Sequence, residues 1–158
     1  MSRPTIPPNG RLIGVDYGHV RIGLATCDAD RRIASPLETY TRRGSDQDAA
    51  YFQKLAAIES AVGWVVGLPL MTQTGDEGTK AKECRAFGTW LGQLTGLSVA
   101  YQDERYTSSA AEDALWGAGL THKKRRSRRD RVAAQFILQA FLDAGCPSPG
   151  EPGASATK

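Results

Sequence analysis

The stretch "LIGVDYGHVRIGLAT", Leu12 to Thr26, decides the fold. An apolar run ends in Asp16, a tight turn follows at Gly18-His19, and a second apolar run returns through Arg21. Two buried strands joined so closely pair as a hairpin. Asp16 at the first strand's end has three readings: it binds a catalytic metal, lies beside nucleotide phosphates, or caps the hairpin.

Working outward, "RRIASPLETYTR" reads as a third strand, with Pro36 suited to an edge or a bulge. From Ser45 the period becomes helical through Phe52, Leu55 and Val62, with Ser45 and Asp46 as candidate caps. "GWVVGLPL" is a short strand apolar on both faces, the buried parallel kind. A helix is expected from about Thr79 to Thr95, carrying Cys84, Phe87, Leu91 and Leu94 on one face. "LSVAYQDE" reads as a strand ending in carboxylates, and "TSSAAEDALWGAG" as a helix stopping at Gly117 or Gly119. A basic loop then leads to a last amphipathic helix opening near Asp130, with Ala133, Ala134, Ile137, Leu138 and Phe141. The order βββαβαβαα predicts an α/β fold: a five-stranded mixed sheet, a three-strand antiparallel meander plus two parallel strands, flanked by helices. Such sheets bind ligands beyond the carboxyl ends of their strands.

The domain is expected over residues 11–144, between tails at 1–10 and 145–158 rich in Pro, Gly and small polar residues and expected to be disordered. No apolar run reaches membrane-spanning length, and "MSRPTIPPNG" lacks the apolar segment of a secretory leader. Three scattered cysteines form no disulfide framework or paired metal motif, so a reducing, cytoplasmic setting without membrane contact is expected. The net charge is only +3, but Lys123, Lys124, Arg125, Arg126, Arg128, Arg129 and Arg131 fall in one stretch suited to a polyanion.

Three acids stand where they can meet. Asp16 ends the first strand, Glu104 or its neighbour Asp103 ends the last, and Asp130 opens the final helix on its apolar face. An acid on an apolar face needs a partner. Carboxylates without nitrogen or sulfur ligands favour hard ions, Mg²⁺ or Mn²⁺. Such a site suits phosphodiester hydrolysis, and the basic run suits the phosphate backbone. Any one of these acids alone is as readily a helix cap or a solvated side chain, so the argument rests on the set. Arg105 and Thr107 follow the acid strand and stand within reach of a phosphate, although Thr107 equally caps the next helix. His19 and His122 read as exposed; Trp64, Trp90 and Trp116 read first as core or helix-packing residues, with Trp116, before the basic run, the one to check for base stacking.

Taken together, "GVDYGHVRIGLA", "VVGLPL", "DERYTS" and "DRVAAQFILQAFLD" resemble the YqgF/RuvX family from about Arg11 to Ala144. These are pre-16S rRNA nucleases, also described as Holliday junction resolvase-like, with an RNase H-like fold. The resemblance implies catalytic and metal-ligating roles for Asp16, Glu104 and Asp130, with Asp16 shared between two ions. It implies cytoplasmic action on structured RNA, the 16S rRNA precursor in ribosome biogenesis, or on branched DNA, by a monomer or homodimer. Arg21, Arg105, Lys123, Lys124, Arg125, Arg126, Arg128 and Arg129 are the expected nucleic-acid contacts. The chain departs from the family where its usual Gly-Thr-Lys reads Gly18-His19-Val20, leaving Arg21 to take part of the lysine's role. It departs again at Leu70-Met71-Thr72-Gln73, before the retained Gly75 and Glu77.

Two other classes compete. Actin-like ATPases and sugar kinases also open on a strand, "VDYG" and a turn, but they repeat the fold in two domains, and 158 residues hold one. A catalytically inactive nucleic-acid-binding regulator would gain by losing negative charge among the phosphates, yet all three acids are present.

Overall fold

A computed structural model of the chain describes residues 5–69, 78–104 and 121–147. Five strands form one sheet: β1 (Arg11–Asp16), β2 (Arg21–Cys27), β3 (Ala34–Thr41), β4 (Ala61–Pro69) and β5 (Ser98–Glu104). The described helices are α1 (Ser45–Ile58), α2 (Thr79–Thr95) and α3 (His122–Asp143). Strand order is β3-β2-β1-β4-β5. The meander β1-β2-β3 is antiparallel, and β4 pairs parallel with both β1 and β5, as the sequence led one to expect. Pro36 lies on edge strand β3 at a register shift, where its missing N–H interrupts no central ladder. The helix expected between "DERYTS" and the basic run falls outside the described residues.

Strand alternation sorts the apolar side chains into two cores. Ile13, Val15, Ile22, Leu24, Trp64 and Val66 pack with α1 and α2 through Phe52, Phe87 and Leu91. Leu12, Ala25, Val65 and Ala100 pack beneath α3 through Ala134, Ile137, Leu138 and Phe141. The stretch before β1 adds Ile6 to that second core, and the Thr5 carbonyl accepts a hydrogen bond from Ser98 Oγ at 2.7 Å.

Two local expectations are corrected. Helix α1 is capped by Gly44, with no side-chain hydrogen bond, rather than by Ser45 or Asp46. The acid that organises this end is Asp48, the one buried charged side chain among the described residues. Its carboxylate accepts from Tyr40 Oη at 2.6 Å, Arg43 N at 2.9 Å and Arg42 Nε at 3.2 Å, tying β3 to α1. Burial alone would raise the Asp48 pKa, but these hydrogen bonds and the Arg42 charge outweigh it and leave it lowered.

The second correction concerns α3. The basic run is helix, not loop, and Asp130 lies in the third turn instead of opening it. Thr121 caps the helix, its Oγ1 accepting from Lys124 N at 3.2 Å. Lysine and arginine are good helix formers. The apolar period marks only the turns packed on the sheet, so it misses the turns before them.

Candidate active site at the strand ends

Alternation places the acids. Leu12 belongs to the α3-side core, and a Cβ on Gly14 would meet Leu138 Cβ at 2.8 Å and the Ala134 carbonyl at 2.9 Å. Asp16 therefore shares that face, two residues on. On β5, Ala100 belongs to the same core, so Glu104 points to the α3 side. Asp103 is the register partner of Leu68, which lies in the other core. The choice between the two neighbouring acids falls to Glu104.

Asp130 reaches the site because β2 carries no side chain at Gly23, the register partner of Asp16. A Cβ there would overlap the carbonyl of Asp130 and stand 3.0 Å from Arg131 N, so the α3 backbone lies directly on the strand. The next residue on that face, Arg21, reaches up and donates from Nε to Asp130 Oδ2 at 2.8 Å. Sequence reasoning assigned Arg21 to nucleic acid. In the structure it holds Asp130, in a pair about a third exposed on the Arg21 side.

The three carboxylates thus form a row on one face. Asp16 stands in the middle, Asp130 lies over β2 on one side, and Glu104 lies two strands away on the other. Among the described residues, no three His, Cys, Asp or Glu side chains surround a single point as a one-ion cage would. Gly67 lies on the strand between Asp16 and Glu104, closely covered by Ile137 of α3. A Cβ on it would stand 3.0 Å from Glu104 Oε1 and 2.5 Å from Ile137 Cδ1. The all-oxygen donor set fits a hard divalent ion, which Asp16 and Glu104 would hold with Asp130 on the far side.

The same end of the sheet gathers further charge. The Cys84 thiol of α2 is pushed up to about 11, first by burial and then by the carboxylates of Glu104, Asp16 and Glu83, against Lys80. Lys123, Lys124, Arg126 and Arg128 are exposed on the first turns of α3, with Arg125 and Arg129 half-buried. Lys123 and Arg126 precede Asp130 by two turns and one, on the same side of the helix. Cations at a helix N-terminus oppose the macrodipole, and like charges four residues apart repel. A surface that accepts both penalties is matched to a polyanion. Arg105, Thr107, Trp116, Gly75 and Glu77 lie outside the described residues.

Sequence reasoning missed Asp48 and a cluster around Tyr17. Asp48 was detectable, because Asp48, Phe52 and Leu55 share a helical face and an acid there must find partners. The Tyr17 cluster joins residues from three distant segments and leaves no local pattern. Arg42 Nη1 donates to Tyr17 Oη at 3.0 Å, and His19 Nε2 lies 2.8 Å from Glu83 Oε1.

The chain is similar to known proteins over most of its length. Residues 10–144 match the RuvX family, described as Holliday junction resolvase. A Rhodopirellula baltica protein named "Putative pre-16S rRNA nuclease" is 47% identical over 145 residues, covering 92% of this chain and 83% of its own. A Cereibacter sphaeroides protein of the same name is 44% identical over 138 residues, covering 87% and 86%. Among solved structures, Thermus thermophilus RuvC aligns with a TM-score of 0.52 at 10% identity, covering 88% of this chain and 98% of that one. The fowlpox virus Holliday junction resolvase aligns at 0.50 and 11%, covering 85% and 99%. At such identities the likeness concerns the fold, which is the RNase H-like sheet expected from the sequence. The chain belongs to the RuvX family.

Proposed function

We propose that this protein is a metal-dependent endonuclease that hydrolyses phosphodiester bonds in structured RNA, with the 16S rRNA precursor as its substrate. The observation that carries the reading is the row Asp130–Asp16–Glu104 on one sheet face, at the strand ends and beside the basic turns of α3. The names of the relatives support the substrate. Asp16, Glu104 and Asp130 are the catalytic and metal-holding residues. Held by these carboxylates, Mg²⁺ or Mn²⁺ would supply Lewis-acid activation of water and charge neutralisation at the leaving oxygen. The chain's own residues do the rest. Asp16, in the centre of the row, serves both sides. Arg21 fixes the Asp130 carboxylate. Lys123, Lys124, Arg126 and Arg128, with Arg105, hold the backbone phosphates without reading bases. Among the described residues no helix is long and apolar enough to cross a membrane, and we place the activity in the cytoplasm.

Branched DNA is the second reading, favoured by the description of the matching family. It requires a two-fold dimer to present two sites to opposing strands. The test is cleavage of 16S precursor ends, plain single strands and a four-way DNA junction, with Mg²⁺ or Mn²⁺ and with chelator. Cutting that needs metal and disappears in Asp16→Asn supports the nuclease, and the preferred substrate separates the two readings. Binding without cutting, unchanged in Asp16→Asn, overturns it.

A further inference from the structure

On the other side of the strand end from the carboxylate row lies a cavity of about 290 Å³, lined by Tyr17, Arg42, Ser45, Glu83, Phe87 and Trp90. It opens at the functional end of the sheet. Tyr17 directly follows Asp16, Arg42 and Ser45 flank the passage from β3 into α1, and Glu83 lies in the first turns of α2. The lining residue Tyr17 is joined directly to Asp16 at the end of β1, so cavity and carboxylate row meet at that strand end, on opposite faces.

The walls are aromatic. Phe87 packs against Tyr17 with centroids 4.8 Å apart and against Trp90 at 5.4 Å, in tilted rather than edge-on geometry. Trp90 is half-buried, leaving part of its ring at the cavity. The polar groups are few and opposed in character. Glu83 presents a carboxylate, one oxygen of which meets His19. Arg42 is held by Asp48 and Tyr17 with its guanidinium 5.4 Å from the Tyr17 ring centre. The Lys80 ammonium lies 5.5 Å from the same ring.

We propose that this cavity receives an unpaired guanine base of the nucleic acid, next to the phosphate presented to Asp16. The proposal rests on the nuclease reading above for the position of that phosphate, but on the cavity alone for the base. Guanine offers two N–H donors on its pairing edge, which a carboxylate accepts, and O6 and N7 acceptors, which an arginine engages. The other bases lack that combination. An aromatic wall supplies the stacking that makes an unpaired base worth binding, and Lys80 lies at hand for a flanking phosphate. Recognition of one unpaired base also selects for a loop or strand end in structured RNA.

The probe is guanosine 5′-monophosphate, titrated to millimolar concentration beside the adenosine, cytidine and uridine monophosphates. The readout is the Trp90 indole N–H signal by NMR, identified by its loss in Trp90→Phe. The expected result is a saturable shift with the guanine nucleotide, about tenfold weaker with the others. Glu83→Gln should lose that preference while keeping the wild-type fold, because a charged hydrogen bond is worth about a factor of ten. Equal shifts with all four nucleotides would overturn the guanine assignment, and no saturable shift with any would overturn the cavity's role. Metal-dependent cleavage without nucleotide binding removes this proposal alone. Guanine-selective binding without cleavage keeps the cavity as a base site and removes the nuclease.

Discussion

Gly23→Ala tests how the site is assembled. The added methyl would point from β2 into the α3 backbone, overlapping the Asp130 carbonyl and approaching Arg131 N to 3.0 Å. No rotamer relieves this, because both groups are helix backbone. Normal contact requires α3 to retreat by on the order of 1 Å. Overpacking of this kind costs about 1–3 kcal/mol, and for a chain of this size each kcal/mol lowers Tm by about 2–4 °C. The expected loss is therefore roughly 2–12 °C, measured by thermal melting followed by circular dichroism. A retreat of that size also carries Asp130 away from Asp16, and misplacement by about 1 Å costs on the order of a hundredfold in rate. Cleavage assayed well below the melting point should fall by that amount with substrate affinity nearly unchanged. Gly78→Ala is the matched control, since a Cβ there meets nothing within 4 Å. A Gly23→Ala protein with wild-type Tm and wild-type cleavage would refute the idea that a bare strand sets the position of Asp130.

Asp48→Ala strands Tyr40, Arg42 and the Arg43 amide, and should cost about 3–5 kcal/mol in urea unfolding; a loss below about 1 kcal/mol would show the network to be slack. Stability should also fall at both pH extremes. Burial and then Asp48 push the Tyr40 pKa up to about 12, so its contribution of about 2–3 kcal/mol is complete below pH ~10 and lost as pH rises through about 12. The lowered Asp48 pKa acts oppositely: its contribution is complete above the ordinary carboxylate range and lost as pH falls through its folded value. Tyr40→Phe should remove the alkaline limb of a stability–pH curve and weaken the acid limb without abolishing it, because Asp48 loses the Tyr40 hydrogen bond that lowers its pKa but keeps those from Arg42 and Arg43. Cys84, buried with its thiol at about 11, should resist an aromatic disulfide reagent at pH 8 until the protein unfolds. Lys123→Gln and Arg126→Gln should each reduce the slope of log affinity for RNA against log salt by about one, as loss of a single phosphate contact requires.

Much of the fold was legible because its strands are unambiguous locally. Period-two and doubly apolar runs separated by short turns leave few ways to pair "RLIGVD" with "RIGLATC", and the run at Trp64 to Val66 has to be central because it buries both faces. The start of α3 was not legible. Its first turns touch little apolar surface, so no hydrophobic period marks them, and only the Thr121 cap and the helix preference of Lys and Arg distinguish them from a solvated loop.

The sequence by itself determined the donor chemistry: which acids end the strands, which acid rides the apolar face of the last helix, and that basic residues cluster beside it. Tertiary structure decided how they are used. Side-chain alternation at the end of β5 chose Glu104 over Asp103, because one-residue steps along a strand change the face. Close approach of α3 at Gly23 put Asp130 beside Asp16 and turned Arg21 from a free phosphate contact into the partner of that carboxylate. The cavity behind Asp16 draws on Tyr17, Arg42 and Glu83, which are far apart in sequence. No local pattern encodes such a convergence, since it exists only once the sheet order brings the three segments to one end.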